Sequence, residues 1–176
     1  MVLQNPRVDF AVFEVARGGI LREGLGYERN DVGVVLNVQP DHLGLRGVDT
    51  LEQLADVKAV IVEAVPRNGF AVLNADDALV RAMRRRCSGR IVWFTMAEPG
   101  SKIRDSVDDH CRRGGRAVVL EHSDLGDMIM IKEGRRSMQL AWTHLLPATF
   151  SGRATMNVQN AMAAAAAAFA AGASLH

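Results

Sequence analysis

Residues 70–94 read FAVLNADDALVRAMRRRCSGRIVWF, and the fold class turns on them. Phe70, Ala71, Val72 and Leu73 form an unbroken apolar run, too short for a helix and rich in side chains that pack well on a pleated strand. Asn74-Ala75-Asp76-Asp77 follows as a turn, where Asp76 or Asp77 can accept the free backbone N–H groups that open a helix. Residues 77–86 read as that helix. Ile91 to Phe94 then repeat the first strand's character. Strands without polar alternation are buried on both faces, and such strands joined by helices imply a mostly parallel sheet covered on both sides.

The same rhythm extends in both directions. Residues 10–13, 32–38 and 117–120 read as further strands, and residues 51–65 and 103–113 as helices. Toward the C-terminus it changes: residues 128–132 and 137–142 flank Glu133-Gly134-Arg135-Arg136, the pattern of an antiparallel hairpin appended to the sheet. Residues 146–153, with Pro147 and Gly152, form a loop into an alanine-rich helix from about Val158. The expected fold is α/β, a mostly parallel sheet flanked by helices with an added hairpin, in one domain over residues 1–176.

Composition narrows the function classes. Of 176 residues, 48% are hydrophobic and 23% charged, so the chain can bury a core and is neither disordered nor fibrous. The formal net charge of +1 supplies no global field toward nucleic acid or anionic lipid. Eighteen of the 21 basic residues are arginine; the lysines are Lys58, Lys102 and Lys132. Cys87 and Cys111 have neither zinc nor disulfide-framework spacing, which suits a reduced, cytoplasmic protein. The alanine run from Ala161 is too short and too weakly apolar to span a bilayer.

Several polar groups stand where ligands gather in such sheets, beyond the carboxyl ends of strands. Glu14 ends the first apolar run and precedes Gly18-Gly19; it is a cation ligand or a solvated strand end. Asn37-Val38-Gln39-Pro40-Asp41-His42 ends the next, and an imidazole beside a carboxylate suits a divalent ion, as it suits a structural histidine. Thr50 to Gln53 has the form of a capping box, each side chain satisfying the other's backbone N–H. In the helix it starts, Lys58 falls within the apolar stripe of Leu51, Leu54, Ala55, Ile61, Val62 and Val65. Burying a bare ammonium is costly, so Lys58 either snorkels out, faces anionic oxygens or is chemically neutralised. Asn157 and Asn160 share one side of the last helix's first turn. Capping explains Asn157 from spacing, while a carboxamide also matches the donor–acceptor edge of adenine.

Taken in order, EVARGGILREGLGYERNDVGVVLNVQPDHLGLRGVDTLEQLADVK, FAVLNADD and GRATMNVQNAMAAAAAAFA resemble the central domain of the Mur ligase superfamily. The likeness is greatest to the Mur-ligase-like half of cyanophycin synthetases. It covers essentially the whole chain, and the ordered set of motifs is far more specific than any one of them. The resemblance implies Glu14 and His42 as Mg²⁺ ligands, with Asp41 behind His42, and Lys58 as the lysine that several Mur ligases carbamylate to help bind a second metal. It implies Asn157 and Asn160 beside the adenine of ATP, and Arg17 and Arg22 near anionic substrate or phosphate. Val15 replaces an expected threonine, Gln39-Pro40 a small-residue pair, and Met156 a histidine common in Mur ligases.

The implied activity is ATP-dependent amide ligation, with an aspartate–arginine polymer and arginine as substrates and a homo-oligomeric full-length parent. No nucleic acid or membrane partner is expected. The superfamily's phosphate loop needs a Gly-Lys pair, and none occurs here. The chain is therefore expected to be part of a central domain that begins after that loop, lacks the C-terminal domain and is inactive alone. The alternatives are another Mur-type ligase, acting on a peptidoglycan precursor or a folate, and a noncatalytic nucleotide-binding or interaction module. A metal-dependent hydrolase using Glu14, Asp41 and His42 accounts for neither the asparagine pair nor Lys58.

Overall fold

The computed structural model describes residues 5–40, 43–44 and 47–174. In chain order the elements are α1 (Arg17–Glu23), β1 (Val32–Val35), α2 (Leu51–Glu63), β2 (Phe70–Asn74), α3 (Ala78–Ala82), β3 (Arg90–Thr95), α4 (Lys102–Arg112), β4 (Arg116–Ser123), β5 (Gly126–Glu133), β6 (Arg136–Trp142) and α5 (Thr155–Ala170). The six strands form one sheet in sequence order. β1 to β4 are parallel, with Val35 beside Leu73 and Leu73 beside Trp93. β4, β5 and β6 form an antiparallel meander.

Alternation along the strands divides the core into two layers, since successive side chains point to opposite faces. Ala71, Leu73, Trp93, Ala117 and Val119 pack with α2, α3 and α4 on one face. Phe70, Val72, Val92, Phe94, Val118 and Leu120 pack with α5 on the other. All five residues of β2 are buried, as the run at 70–73 predicts. Among the described residues no helix is long and apolar enough to cross a membrane.

Three glycines let the strand beginnings meet the end of α2. A Cβ at Gly89 would lie 2.7 Å from the carbonyl oxygens of Gly69 and Pro66 and from Val65 Cγ1. At Gly33 it would lie 2.9 Å from Ile61 O, and at Gly69 2.8 Å from Asp31 O.

The expected strand at residues 10–13 is absent. A strand needs an edge to accept its backbone hydrogen bonds and a layer to cover its side chains. This segment joins no ladder, and Phe10, Val12 and Phe13 are 66, 88 and 47% exposed. Gly18 and Gly19 lie in α1, which Leu21 anchors to the core. β1 stops at Val35 rather than Val38, and the helix expected over 77–86 becomes 3₁₀ after Ala82.

Burial also creates a pH-sensitive contact. His110 Nε2 lies 3.1 Å from Ile91 O, its ring edge-on to Trp93, in space that a Cβ on Gly115 would occupy. Desolvation holds its pKa below the ordinary 6.5. In the pH range between the depressed value and 6.5 the unfolded chain binds the extra proton, so this contribution is complete above 6.5 and is lost as pH falls through the folded value. His110→Gln should shrink the drop in urea midpoint between pH 7.5 and pH 5. Equal drops in the two proteins would show that His110 does not set it.

Candidate functional site

The site is built where β1, β2 and β3 end. Beyond Val35 the backbone of β1 leaves the ladder and side chains from two helices take over its polar groups. Lys58, half-buried on α2, donates from Nζ to Asn37 O at 2.7 Å. Asp77 Oδ2 accepts from Val38 N, also at 2.7 Å. Consecutive residues beyond Val35 are thus held by side chains of α2 and of the N-cap of α3 in place of a strand ladder. Thr50 and Gln53 form the expected capping box at the start of α2, which fixes the helix turn from which Lys58 projects.

Asp77 does two things at once. Its Oδ1 accepts from Leu79 N at 2.9 Å and Val80 N at 3.0 Å, capping α3, while Oδ2 holds Val38. Asp76 accepts from Thr95 Oγ1 and from Met96 N, the latter at 2.8 Å, joining the end of β2 to that of β3. Asn74, 2% exposed, accepts from Asp76 N at 2.9 Å and closes the turn. The cap was readable from the spacing. The bonds to Val38 and Met96, 39 and 20 residues away, had no local signal.

The N-terminus of α5 stands at this same end of the sheet. At the helix's other end the Phe169 ring lies 4.8 Å from the Arg116 guanidinium at the start of β4, so α5 runs antiparallel to the parallel strands. It begins at Thr155, three residues earlier than expected, with Ala154 as N-cap and no side-chain cap bond. Asn157 is therefore not the cap. It lies inside the first turn and donates from Nδ2 to Ala148 O at 2.6 Å, tying the preceding loop to the helix. That loop is further closed by buried Thr149, whose single Oγ1 proton is shared between the carbonyl oxygens of Thr143 and Leu146 and whose oxygen accepts from Gly152 N. Asn160 is exposed.

Glu14 is exposed and precedes the N-cap of α1, rather than ending a strand. It lines a shallow cleft of about 320 Å³ with Phe13, Gly19 and Tyr27, where the Phe13 and Tyr27 rings stack at 6.2 Å. Arg17 is half-buried at the first position of α1, and Arg22 is exposed in its last turn. Asp41 and His42 lie outside the described residues. Among the described residues no group of three or more His, Cys, Asp or Glu side chains is placed to hold a metal ion.

The donor chemistry can still be tested against a divalent cation. The Glu14 carboxylate makes no hydrogen bond or ion pair among the described residues, so its oxygens can serve a hard cation. Lys58 Nζ is spent on Asn37 O as an ammonium, and becomes a cation ligand only after losing its charge. Carbamylation would leave one N–H to keep the Asn37 bond while presenting a carboxylate.

The Mur ligase middle domain model matches residues 1–168. The chain belongs to the Mur ligase middle-domain family. It is 47% identical over 169 residues to cyanophycin synthetase of Geminocystis herdmanii, covering 96% of this chain and 18% of the relative. To the UDP-N-acetylmuramoylalanine–D-glutamate ligase of Desulfitobacterium hafniense it is 34% identical over 139 residues, covering 79% of this chain and 25% of that one. A crystal structure of MurF from Acinetobacter baumannii aligns with a TM-score of 0.51 and 23% identity, over 84% of this chain and 27% of MurF, and supports the fold. The chain thus spans about 18% of the length of the cyanophycin synthetases it matches.

Proposed function

We propose that this chain supplies part of the nucleotide and metal site of a cyanophycin-synthetase-type ligase. The observation that carries the reading is the 47% identity to such an enzyme over 96% of the chain. In the proposed reaction an aspartate side-chain carboxylate takes the terminal phosphoryl group of ATP. The amine of arginine then attacks the acyl carbon, phosphate leaves, and an amide forms. Bound Mg²⁺ offsets charge on the phosphoryl oxygens.

The chain's own residues divide the work. Glu14 and His42 hold the cation, and carbamylated Lys58 contributes a further carboxylate. Asn160 offers its exposed amide to the adenine, while Asn157 holds the loop before α5 in place. Lys58 and Asp77 keep residues 37 and 38 fixed, so the segment leading to His42 leaves the sheet in a set direction. Catalysis in this scheme is positioning and electrostatics.

The test is a chimera in which this chain replaces the matching segment of the Geminocystis herdmanii enzyme. ATP-dependent incorporation of arginine into an aspartate–arginine primer is expected, with loss of incorporation in the Glu14→Ala chimera. A folded chimera without incorporation, or a Glu14→Ala chimera with full activity, removes the assignment. The isolated chain is expected to release no phosphate from ATP, with primer and arginine present, above its Glu14→Ala variant. A rate above that control refutes the prediction of inactivity alone.

A further inference from the structure

On the α2–α4 face a second cleft, of about 430 Å³, lies between the end of α3 with its following 3₁₀ turn and the start of α4. Arg81, Arg84, Arg85 and Lys102 line it, and no acidic residue does. Trp93 supplies apolar surface at its base, and Ser106 lies on its α4 wall. Arg84, Arg85 and Lys102 are exposed and have no ion-pair partner among the described residues. Arg81 is half-buried and donates to Ala75 O.

Most of the neighbouring acids are committed elsewhere. Asp76 and Asp77 are bound to backbone N–H groups and Thr95. Asp108 pairs with Lys132 and Arg104, and Asp109 with Arg112. Asp105 is exposed and lies outside the lining. Four lining cations against the one uncommitted carboxylate of Asp105 beside them leave the cleft a net positive potential, focused by its low-dielectric walls.

We infer that this cleft binds an acidic peptide segment, with carboxylates meeting the four cations and the chain's apolar atoms over Trp93. A phosphate site gathers several donors, usually backbone amides, around one group. Here the cations are spread over two elements around an open cleft with an apolar base. That distribution matches carboxylates spaced along an extended chain, where alternate side chains stand roughly 7 Å apart on one side. The inference stands apart from the ligase reading, because it uses neither Glu14, Lys58 nor the asparagines.

The test titrates the full chain with a peptide of about ten aspartates, following amide NMR shifts, beside an all-asparagine peptide of equal length and inorganic tripolyphosphate. Saturable shifts centred on Ala78 and Ser106 are expected with the aspartate peptide alone. Combined Arg84→Ser, Arg85→Ser and Lys102→Ser should weaken binding about tenfold or more, while the matched charge loss Arg7→Ser, Arg135→Ser and Arg136→Ser should change it by less than about twofold. Lys102→Glu and the shift map on the unaltered chain decide the matter if the triple variant does not fold. No saturable binding, equal weakening in the matched variant, or displacement by tripolyphosphate at lower concentration than the peptide itself binds would overturn the inference.

Discussion

Lys58→Met in the chimeric ligase should lower arginine incorporation by about 10³-fold, the scale of removing one well-placed electrostatic group from a phosphoryl or acyl transfer site. The fold should hardly notice. Methionine keeps the apolar stem along α2, and losing the half-buried ammonium's bond to Asn37 O costs about 1.5 kcal/mol, the lower end for a charged donor. Lys58→Arg separates two roles. A guanidinium can still donate to Asn37 O and keeps the positive charge, yet it cannot be carbamylated. Loss of turnover in both variants, with near-normal urea unfolding, fits a lysine whose modified nitrogen serves the metal site. Full turnover in the methionine variant would leave Lys58 as a tether for residue 37 and nothing more. Full turnover in the arginine variant alone would mean that charge is what the site requires.

Gly89→Ala should destabilise the chain by about 3 kcal/mol, the upper part of the usual range for overpacking a close-packed interior. The added methyl meets two carbonyl oxygens and Val65 Cγ1, each 2.7 Å away. Two of those three atoms are backbone, so relief requires moving the start of β3 or the turn after α2. For a domain of this size such a loss lowers Tm by roughly 6–12 °C. Gly18→Ala is the counterpart: it lies in α1 with nothing within 4 Å of a new Cβ. There alanine should stabilise by up to about 1 kcal/mol through helix propensity. Thermal unfolding of the two variants should therefore move in opposite directions. A Gly89→Ala protein with unchanged Tm would mean that the three strand beginnings are less tightly joined than their geometry indicates.

Both predictions depend on contacts between segments distant in the chain, and these divide what was legible from what was not. Residues 70–73 and 91–94 could be read as buried parallel strands because neither alternates with polar residues. Thr50 and Gln53 announced a helix start because both partners of the box lie within one turn. The hairpin around Gly134 was readable for the same reason. These are local effects, decided by neighbours in sequence.

Residues 10–13 look as apolar as any strand in the chain, but apolar character alone does not seat a segment on a sheet edge: these residues join no ladder and stay exposed. Asn157 has the side chain of a cap, yet α5 begins at Thr155, which leaves Asn157 inside the first turn with Ala148 O of the preceding loop as its acceptor. Periodicity marked Lys58 as unusual, and only the path of the chain after β1 identified Asn37 O as its acceptor. Asp77 read correctly as a cap, while its second oxygen's hold on Val38 followed from packing α3 beside the end of β1. Local propensity, apolar patterning and the order of motifs by themselves determined the α/β class and pointed to the family. Tertiary structure decided where β1 stops, which oxygens meet Lys58 and Asp77, and which cations face the second cleft, because hydrogen bonds and charges act through space between groups that the sequence keeps apart.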